Sequence, residues 1–301
     1  MSLRGIAVLV LGLAVAYGQS NQASISGVVS DAQGARIPDA KIIATNTATA
    51  VAASTVTNEA GFYSIPNLPI GTYALVTERQ GFRRYERRDI TLTTGQVLDL
   101  SVRLELGAVS ETVTVTGEAP LVEARTSDVS QLIESKSIEN LPLGNRRTLN
   151  VVNMTGAAVF VTYGNTPGNV NPMFSLAGRR AQSQMLWIDG GSGQNLRLGV
   201  GQINLDPPVE TVSEIKILSN NNSAEYGGSA GGIIVENTKS GTNQFHGSVY
   251  EYLRNDAMDA PGFFATIREG RKVKPELRYK VFGGVLGGPI RHDKTFFFFA
   301  Y

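Results

Sequence analysis

The sequence predicts a mainly β protein that opens on an antiparallel sandwich of about 80 residues. Two observations lead there first. Between residues 22 and 105, short β-branched runs recur at roughly 8 to 12 residue spacing, each bounded by turn residues. From Phe245 onward, period-two alternation rich in aromatics returns and points to further strands. A third observation concerns the middle: the 33 glycines of the 301 residues include the dense run Gly227–Gly232, where backbones can approach closely and turn sharply.

Met1–Arg4 carries one side-chain positive charge, and Gly5–Ala16 is an unbroken apolar stretch ending Ala14-Val15-Ala16. This reads as a secretory signal peptide over 1–18, cleaved near Ala16 or Gly18, because the run is about half of the roughly 20 residues a membrane-spanning helix needs. The sandwich strands are then expected at Ile25–Val29, Lys41–Thr45, Val51–Thr57, Phe62–Ile65, Tyr73–Thr77, Ile90–Leu92 and Val97–Leu104. Asp31–Gly34, Asn58–Gly61, Pro69–Gly71 and Thr94-Gly95 supply the residues that reverse the chain. In the last strand Leu98, Leu100, Val102 and Leu104 share one face. The basic cluster Arg79, Arg83, Arg84, Arg87 and Arg88, interrupted by Glu78, Glu86 and Asp89, reads as a solvated hairpin.

Residues 106–117 form a linker holding Glu111-Thr112-Val113-Thr114-Val115-Thr116, a strict alternation. Such a stretch suits pairing with an open sheet edge on another protein; an eighth sandwich strand or a plain linker is the alternative. Further on, Trp187-Ile188-Asp189-Gly190-Gly191 reads as a strand entering a tight turn, with Asp189 bonding backbone amides. Ile233-Ile234-Val235 reads as a short buried strand. The glycine run lacks the Gly-Lys-Ser/Thr ending of a phosphate loop, so nucleotide binding is not expected.

Lys and Arg number 27 against 26 Asp and Glu, for a net charge of +1, which argues against nucleic acid as a partner. There is no cysteine, so disulfides, thiolate metal sites and cysteine nucleophiles are excluded. His246 and His292 stand far apart in unlike contexts, which disfavours a histidine-based catalytic or zinc cluster. No enzyme activity, cofactor or metal is expected.

The run Thr57–Tyr73, followed by Gly81-Phe82, resembles the carboxypeptidase regulatory-like domain, which implies a prealbumin-like sandwich over 22–105. That fold is often grouped with carbohydrate-binding sandwiches, so Tyr63, Tyr73 and Tyr85 are the residues that could stack on a sugar. Four blocks in 118–244 resemble the plug of TonB-dependent outer-membrane receptors: Ile138–Arg147, Leu176–Arg180, Met185–Gly190 with Val212–Leu218, and Ala224–Asn243. The resemblance implies an α+β plug, with Arg179, Asp189, Gly190, Tyr226, Gly227, Gly231 and Gly232 in structural roles. Glu111–Thr116 stands where those receptors carry the TonB box. Phe245–Ser248 and Gly284–Ile290 resemble the opening barrel strands of the Oar-like group in this family.

The expectation is therefore an outer-membrane receptor that takes up a scarce solute, with the sandwich and plug on the periplasmic side. Its implied partners are TonB with its inner-membrane energising complex, outer-membrane lipid, and a small solute or glycan that the sequence does not identify. A plugged barrel needs about 22 strands, so residues 245–301 are expected to be the start of a longer barrel. The rival expectation is a secreted or surface carbohydrate-binding protein built on the sandwich; a peptidase accessory domain has no catalytic residues to support it.

Overall fold

The computed structural model describes residues 22–107, 112–115, 129–141, 143, 146–152, 154–160, 174–180, 183–195, 202–203, 207–220, 231–274 and 276–301. The expected signal peptide, Glu111, Thr116, Tyr226 and Gly227 lie outside these residues. The chain divides into two compact units, one ending at Lys239 and the other comprising Ser240–Tyr301. No helix among the described residues is long and apolar enough to cross a membrane.

The first unit begins with a sandwich. Its strands are β1 (Ala23–Asp31), β2 (Lys41–Asn46), β3 (Ala52–Val56), β4 (Phe62–Leu68), β5 (Gly71–Glu78), β6 (Arg84–Leu92), β7 (Val97–Asp99), β8 (Val102–Leu104) and β9 (Thr112–Val115). One sheet has the order β4-β1-β7, with β8 also pairing β1, and the facing sheet runs β3-β2-β5-β6-β9. Alternate residues point inward, so Ile25, Ile42, Leu75, Ile90 and Leu98 meet in one core between the sheets. Side chains shape the turns: Asp31 Oδ1 accepts from the Gln33 and Ala35 N–H groups, and Asn58 Oδ1 accepts from those of Ala60 and Phe62.

Three expectations need correction. The sandwich is not wholly antiparallel: β7 and β8 run parallel to β1, and β9 runs parallel to β6. After β6 the chain crosses to the other sheet at residues 93–96 and enters alongside β1 in the same direction. The run Val97–Leu104 is two short strands: the Leu100 N–H still donates to Ser26 O at 2.7 Å, but the Leu100 carbonyl accepts from the Tyr63 hydroxyl at 2.6 Å. The third is the strand expected at Ile90–Leu92, which starts at Arg84; the hairpin expected for the basic cluster is β5–β6, whose strands pair antiparallel, and it holds Arg84, Arg87 and Arg88. They lie on β6, which begins early because Tyr85 packs against the core and pairs with Thr77.

Beyond β9, a second sheet has the order β10-β17-β18-β13-β14. It comprises β10 (Val129–Glu134), β13 (Met185–Ile188), β14 (Gly191–Ser192), β17 (Val212–Asn220) and β18 (Ile233–Thr238). The pairs β11 (Ala158–Phe160) with β12 (Phe174–Leu176), and β15 (Gln194–Asn195) with β16 (Gln202–Ile203), are separate two-stranded sheets. Two short helices, α1 (Ser135–Asn140) and α2 (Leu149–Val152), contribute Ile138, Leu149, Val151 and Val152 to a core shared with Leu186, Ile215, Ile217 and Ile234.

The second unit is a three-stranded antiparallel sheet of β19 (His246–Asn255), β22 (Arg278–Arg291) and β23 (Thr295–Ala300). Between β19 and β22 lies a small hairpin of β20 (Ile267–Arg268) and β21 (Arg271–Lys272). Pairing is continuous from His246↔Gly287 to Asn255↔Arg278, so Gly247 interrupts nothing. One face therefore carries Phe245, Val249, Leu253, Phe282, Leu286 and Phe299, all exposed, with Val249 at 91%. His246, Ser248, Tyr250 and Tyr252 take the other face, where Gly283 leaves room for the Tyr250 ring.

Candidate functional site

The alternating segment of the linker is a strand whose place in the sandwich is set by backbone pairing. Thr112, Val113, Thr114 and Val115 align with Arg84, Tyr85, Glu86 and Arg87 of β6. Strand β9 is the last of its sheet, so among the described residues one of its edges is paired and the other is not. A four-residue parallel pairing at a sheet edge is a modest attachment. It leaves a row of backbone donors and acceptors facing outward.

The residues expected in the second sheet are turn and packing residues. Asp189 and Gly190 have φ of 48° and 80°, and they join β13 to β14 as a two-residue Asp-Gly hairpin. The Asp189 carboxylate reaches β18, where Oδ1 accepts from the Thr238 N–H at 2.8 Å and Oδ2 from the Thr238 hydroxyl at 2.7 Å. Gly231 passes so close to its neighbour that an added Cβ would fall on Ser183 Oγ and lie 2.8 Å from Gln184 N. Gly232 has φ of 92°, with Leu218 O 3.0 Å from where a Cβ would be. Arg179 donates to Asn220 Oδ1 at 3.1 Å within the same unit.

A cluster that the sequence reading passed over joins sandwich and second sheet. Thr94, in the turn between β6 and β7, is fully buried. Its N–H donates to Glu214 Oε1 at 2.6 Å, and its hydroxyl donates to the same oxygen. Its carbonyl accepts from Lys216 Nζ at 2.9 Å, and Asn237 Nδ2 donates to its hydroxyl oxygen. Burial raises the Glu214 carboxyl above the usual range, while the bonds from Thr94 and Asn237 and the Lys216 charge pull it back. The available signal is Glu214 and Lys216 at alternate positions beside Val212, Ile215, Ile217 and Leu218, which marks a polar stripe on one face.

A second buried pair closes the helical side. Arg146 Nη2 lies 2.6 Å from Glu210 Oε1, with side chains only 12% and 8% exposed, and Arg146 Nη1 donates to Glu139 O at 3.0 Å. Glu139 is exposed; although partial desolvation pushes its carboxyl up, the Lys239 ammonium and the Ser135 hydroxyl hold it below the ordinary range. Among the described residues no group of three or more His, Asp or Glu could hold a metal ion.

The tyrosines that a sugar-stacking surface requires are elsewhere. Tyr63 is 1% exposed with its hydroxyl donating to Leu100 O at 2.6 Å, and Tyr73 is 2% exposed with its hydroxyl donating to Pro69 O at 2.8 Å. Tyr85 is packed against the same core. Inward alternation with Ile65 and Leu75 put the first two there.

Comparison with known proteins follows the same division of the chain. The carboxypeptidase regulatory-like domain matches residues 24–105, and an outer membrane beta barrel domain matches residues 237–301. The TonB-dependent transporter Oar of Myxococcus xanthus is 29% identical over 291 residues, which is 94% of this chain and 26% of its own. A probable TonB-dependent siderophore receptor PirA of Acinetobacter baumannii is 28% identical over 195 residues, 58% of this chain and 24% of its own. The crystal structure of the siderophore receptor PirA from Acinetobacter baumannii overlaps 55% of this chain and 22% of its own, with a TM-score of 0.42 at 22% identity. The chain thus spans about a quarter of the length of the curated relatives it matches. With a carboxypeptidase regulatory-like domain ahead of an outer membrane β-barrel segment, and 29% identity to a TonB-dependent transporter along almost its whole length, the chain is similar to the TonB-dependent outer-membrane receptors.

Proposed function

We propose that this chain is the sandwich, plug and first barrel strands of a TonB-dependent outer-membrane receptor for active uptake of a scarce solute. The observation that carries the reading is the similarity to a TonB-dependent transporter over 94% of the chain, which includes the β9 segment between the two matched domains. In this reading β10–β18 form the plug, and the outer edge of β9 accepts a strand of TonB. TonB, with its inner-membrane energising complex, then pulls on the plug after the solute has bound outside.

Membrane placement follows from strand length and loop asymmetry. Strand β22 has 14 residues and β19 has 10, long enough for the roughly 9 to 11 residues a tilted spanning strand needs. The exposed Val249, Leu253, Phe282, Leu286 and Phe299 then face lipid, and the Glu251–Lys280 ion pair on the same face lies toward the end of the long connection. The connection from β19 to β22 is long, whereas β22 and β23 are joined by a tight turn at 292–294. Outer-membrane barrels keep short turns on the periplasmic side. The β19 end at His246, which pairs with Gly287 toward that turn, is then periplasmic, and the sandwich lies on the periplasmic side.

The test is Val113→Pro in the full-length receptor. Proline removes a backbone donor and fixes φ in the pairing strand. Crosslinking to TonB is expected to be lost, while the 24–105 sandwich, whose core strands do not include β9, unfolds at the same temperature. Crosslinking at the wild-type level would remove 112–115 from the pairing role.

A further inference from the structure

The buried cluster around Thr94 belongs to neither body's own construction. On the sandwich side the turn is formed internally: Gln96 Oε1 accepts from the Thr93 N–H at 3.0 Å, and the Gln96 N–H donates to Thr93 O at 3.1 Å. The Ser24 N–H donates to Gln96 O at 2.8 Å, so the turn is tied to β1 whether or not anything sits on it. On the other side, Glu214 and Lys216 project from the face of β17 opposite Ile215 and Ile217, which lie in the hydrophobic core with Leu186 and Ile234. Strand β17 also keeps its backbone pairing with β10 and β18 independently of Thr94.

The chemistry of the joint suits opening. A permanent seam between domains is favoured by apolar surface, which resists exposure to water. Glu214, Lys216 and Asn237 are polar, and each recovers hydrogen bonds from water when Thr94 leaves. While docked, every polar group of Thr94 is satisfied: amide and hydroxyl on Glu214, carbonyl on Lys216, and hydroxyl oxygen on Asn237. The closed state is therefore specific without being built into either core.

We infer that the Thr94 turn and the Glu214–Lys216–Asn237 socket form a releasable latch between the sandwich and the β10–β18 sheet. The latch holds whether or not 112–115 pairs with TonB. If that pairing occurs, β9 is a strand of the same sandwich, and a pull on it reaches the second sheet through the latch as well as along the chain.

The sequence contains no cysteine, so paired spin labels on Ser54→Cys in β3 and Ser130→Cys in β10, both exposed, report one distance between the two bodies. The parent chain is expected to give a narrow distribution. Thr94→Val removes the hydroxyl, and Lys216→Met removes the donor to the Thr94 carbonyl. Either variant is expected to broaden the distribution toward longer distances while emission from Trp187, the sole tryptophan, stays native. A distribution as narrow as the parent's in both variants overturns the latch. Loss of native Trp187 emission in both also overturns it, since the socket would then be part of the second sheet's own stability.

Discussion

Gly27→Ala is expected to destabilise the sandwich by an amount at or above the top of the roughly 1 to 3 kcal/mol typical of overpacking. Gly27 is in the middle of β1, directly beneath the point where β7 gives way to β8. A Cβ built there falls on the carbonyl oxygen of Leu100 and lies 3.1 Å from Ser101 N. Backbone cannot swing away as a long side chain does, and this peptide is held on both sides. The Leu100 N–H donates to Ser26 O at 2.7 Å, and its carbonyl accepts from the buried Tyr63 hydroxyl at 2.6 Å. Relief therefore requires breaking one of these bonds or parting β1 from β7. Against a typical total of about 5 to 15 kcal/mol, such a loss unfolds a visible fraction of the molecules. Gly34→Ala is the control, because its φ of 89° strains alanine while the space around it is open; that conformation costs roughly 1 to 2 kcal/mol. Hydrogen exchange of the peptides covering 22–105, followed against urea, reads both. Equal midpoints for the two variants would show that the close approach at Leu100 carries no weight.

The same spot shows where sequence reading stops. Each sandwich strand is marked by local features, since β-branched residues alternate and Gly, Pro, Asn or Asp end the run. The interruption at Leu100 has no such mark: Leu98, Leu100, Val102 and Leu104 are all buried, and their alternation continues straight through it. At the break the Leu100 carbonyl accepts from the Tyr63 hydroxyl of β4, a partner far away in sequence. For β9 the alternation of Thr and Val announced a strand, but not that its partner would be β6 or that the two would run parallel. The Thr94 socket was half legible. Two charges inside Val212–Leu218 are conspicuous, whereas their partner sits 120 residues earlier in a turn that looks ordinary. Asp189 and Gly190 were the readable case, because an Asp-Gly pair between a strand and a glycine states its own turn type.

Arg146→Met is the corresponding test in the second sheet, with an expected loss of about 3 to 5 kcal/mol, the cost of removing one partner of a buried ion pair. Arg146 fastens three pieces that are otherwise separate in the chain. Its Nη1 donates to the carbonyl of Glu139 in the last turn of α1, its Nη2 meets the Glu210 carboxylate, and its backbone leads into α2. Glu210 belongs to a 3-10 turn, Val209–Thr211, from which β17 starts, so its displacement would reach a strand paired on both sides in the sheet. Methionine keeps much of the stem's bulk and none of the charge, which leaves the Glu210 carboxylate in a nearly dry site without the guanidinium. The double variant Arg146→Met, Glu210→Met is expected to recover most of the loss, because replacing both members of a buried pair with apolar groups is often close to neutral. Urea unfolding followed by Trp187 fluorescence measures both in the right place, since that indole lies on β13 of the same sheet. If the double variant is as unstable as the single one, the pair serves to hold α1 through Glu139 and not to neutralise Glu210. If Arg146→Met unfolds at the parent midpoint, the anchor between α1 and β17 is the apolar contact of Ile138 with Val209 and Val212.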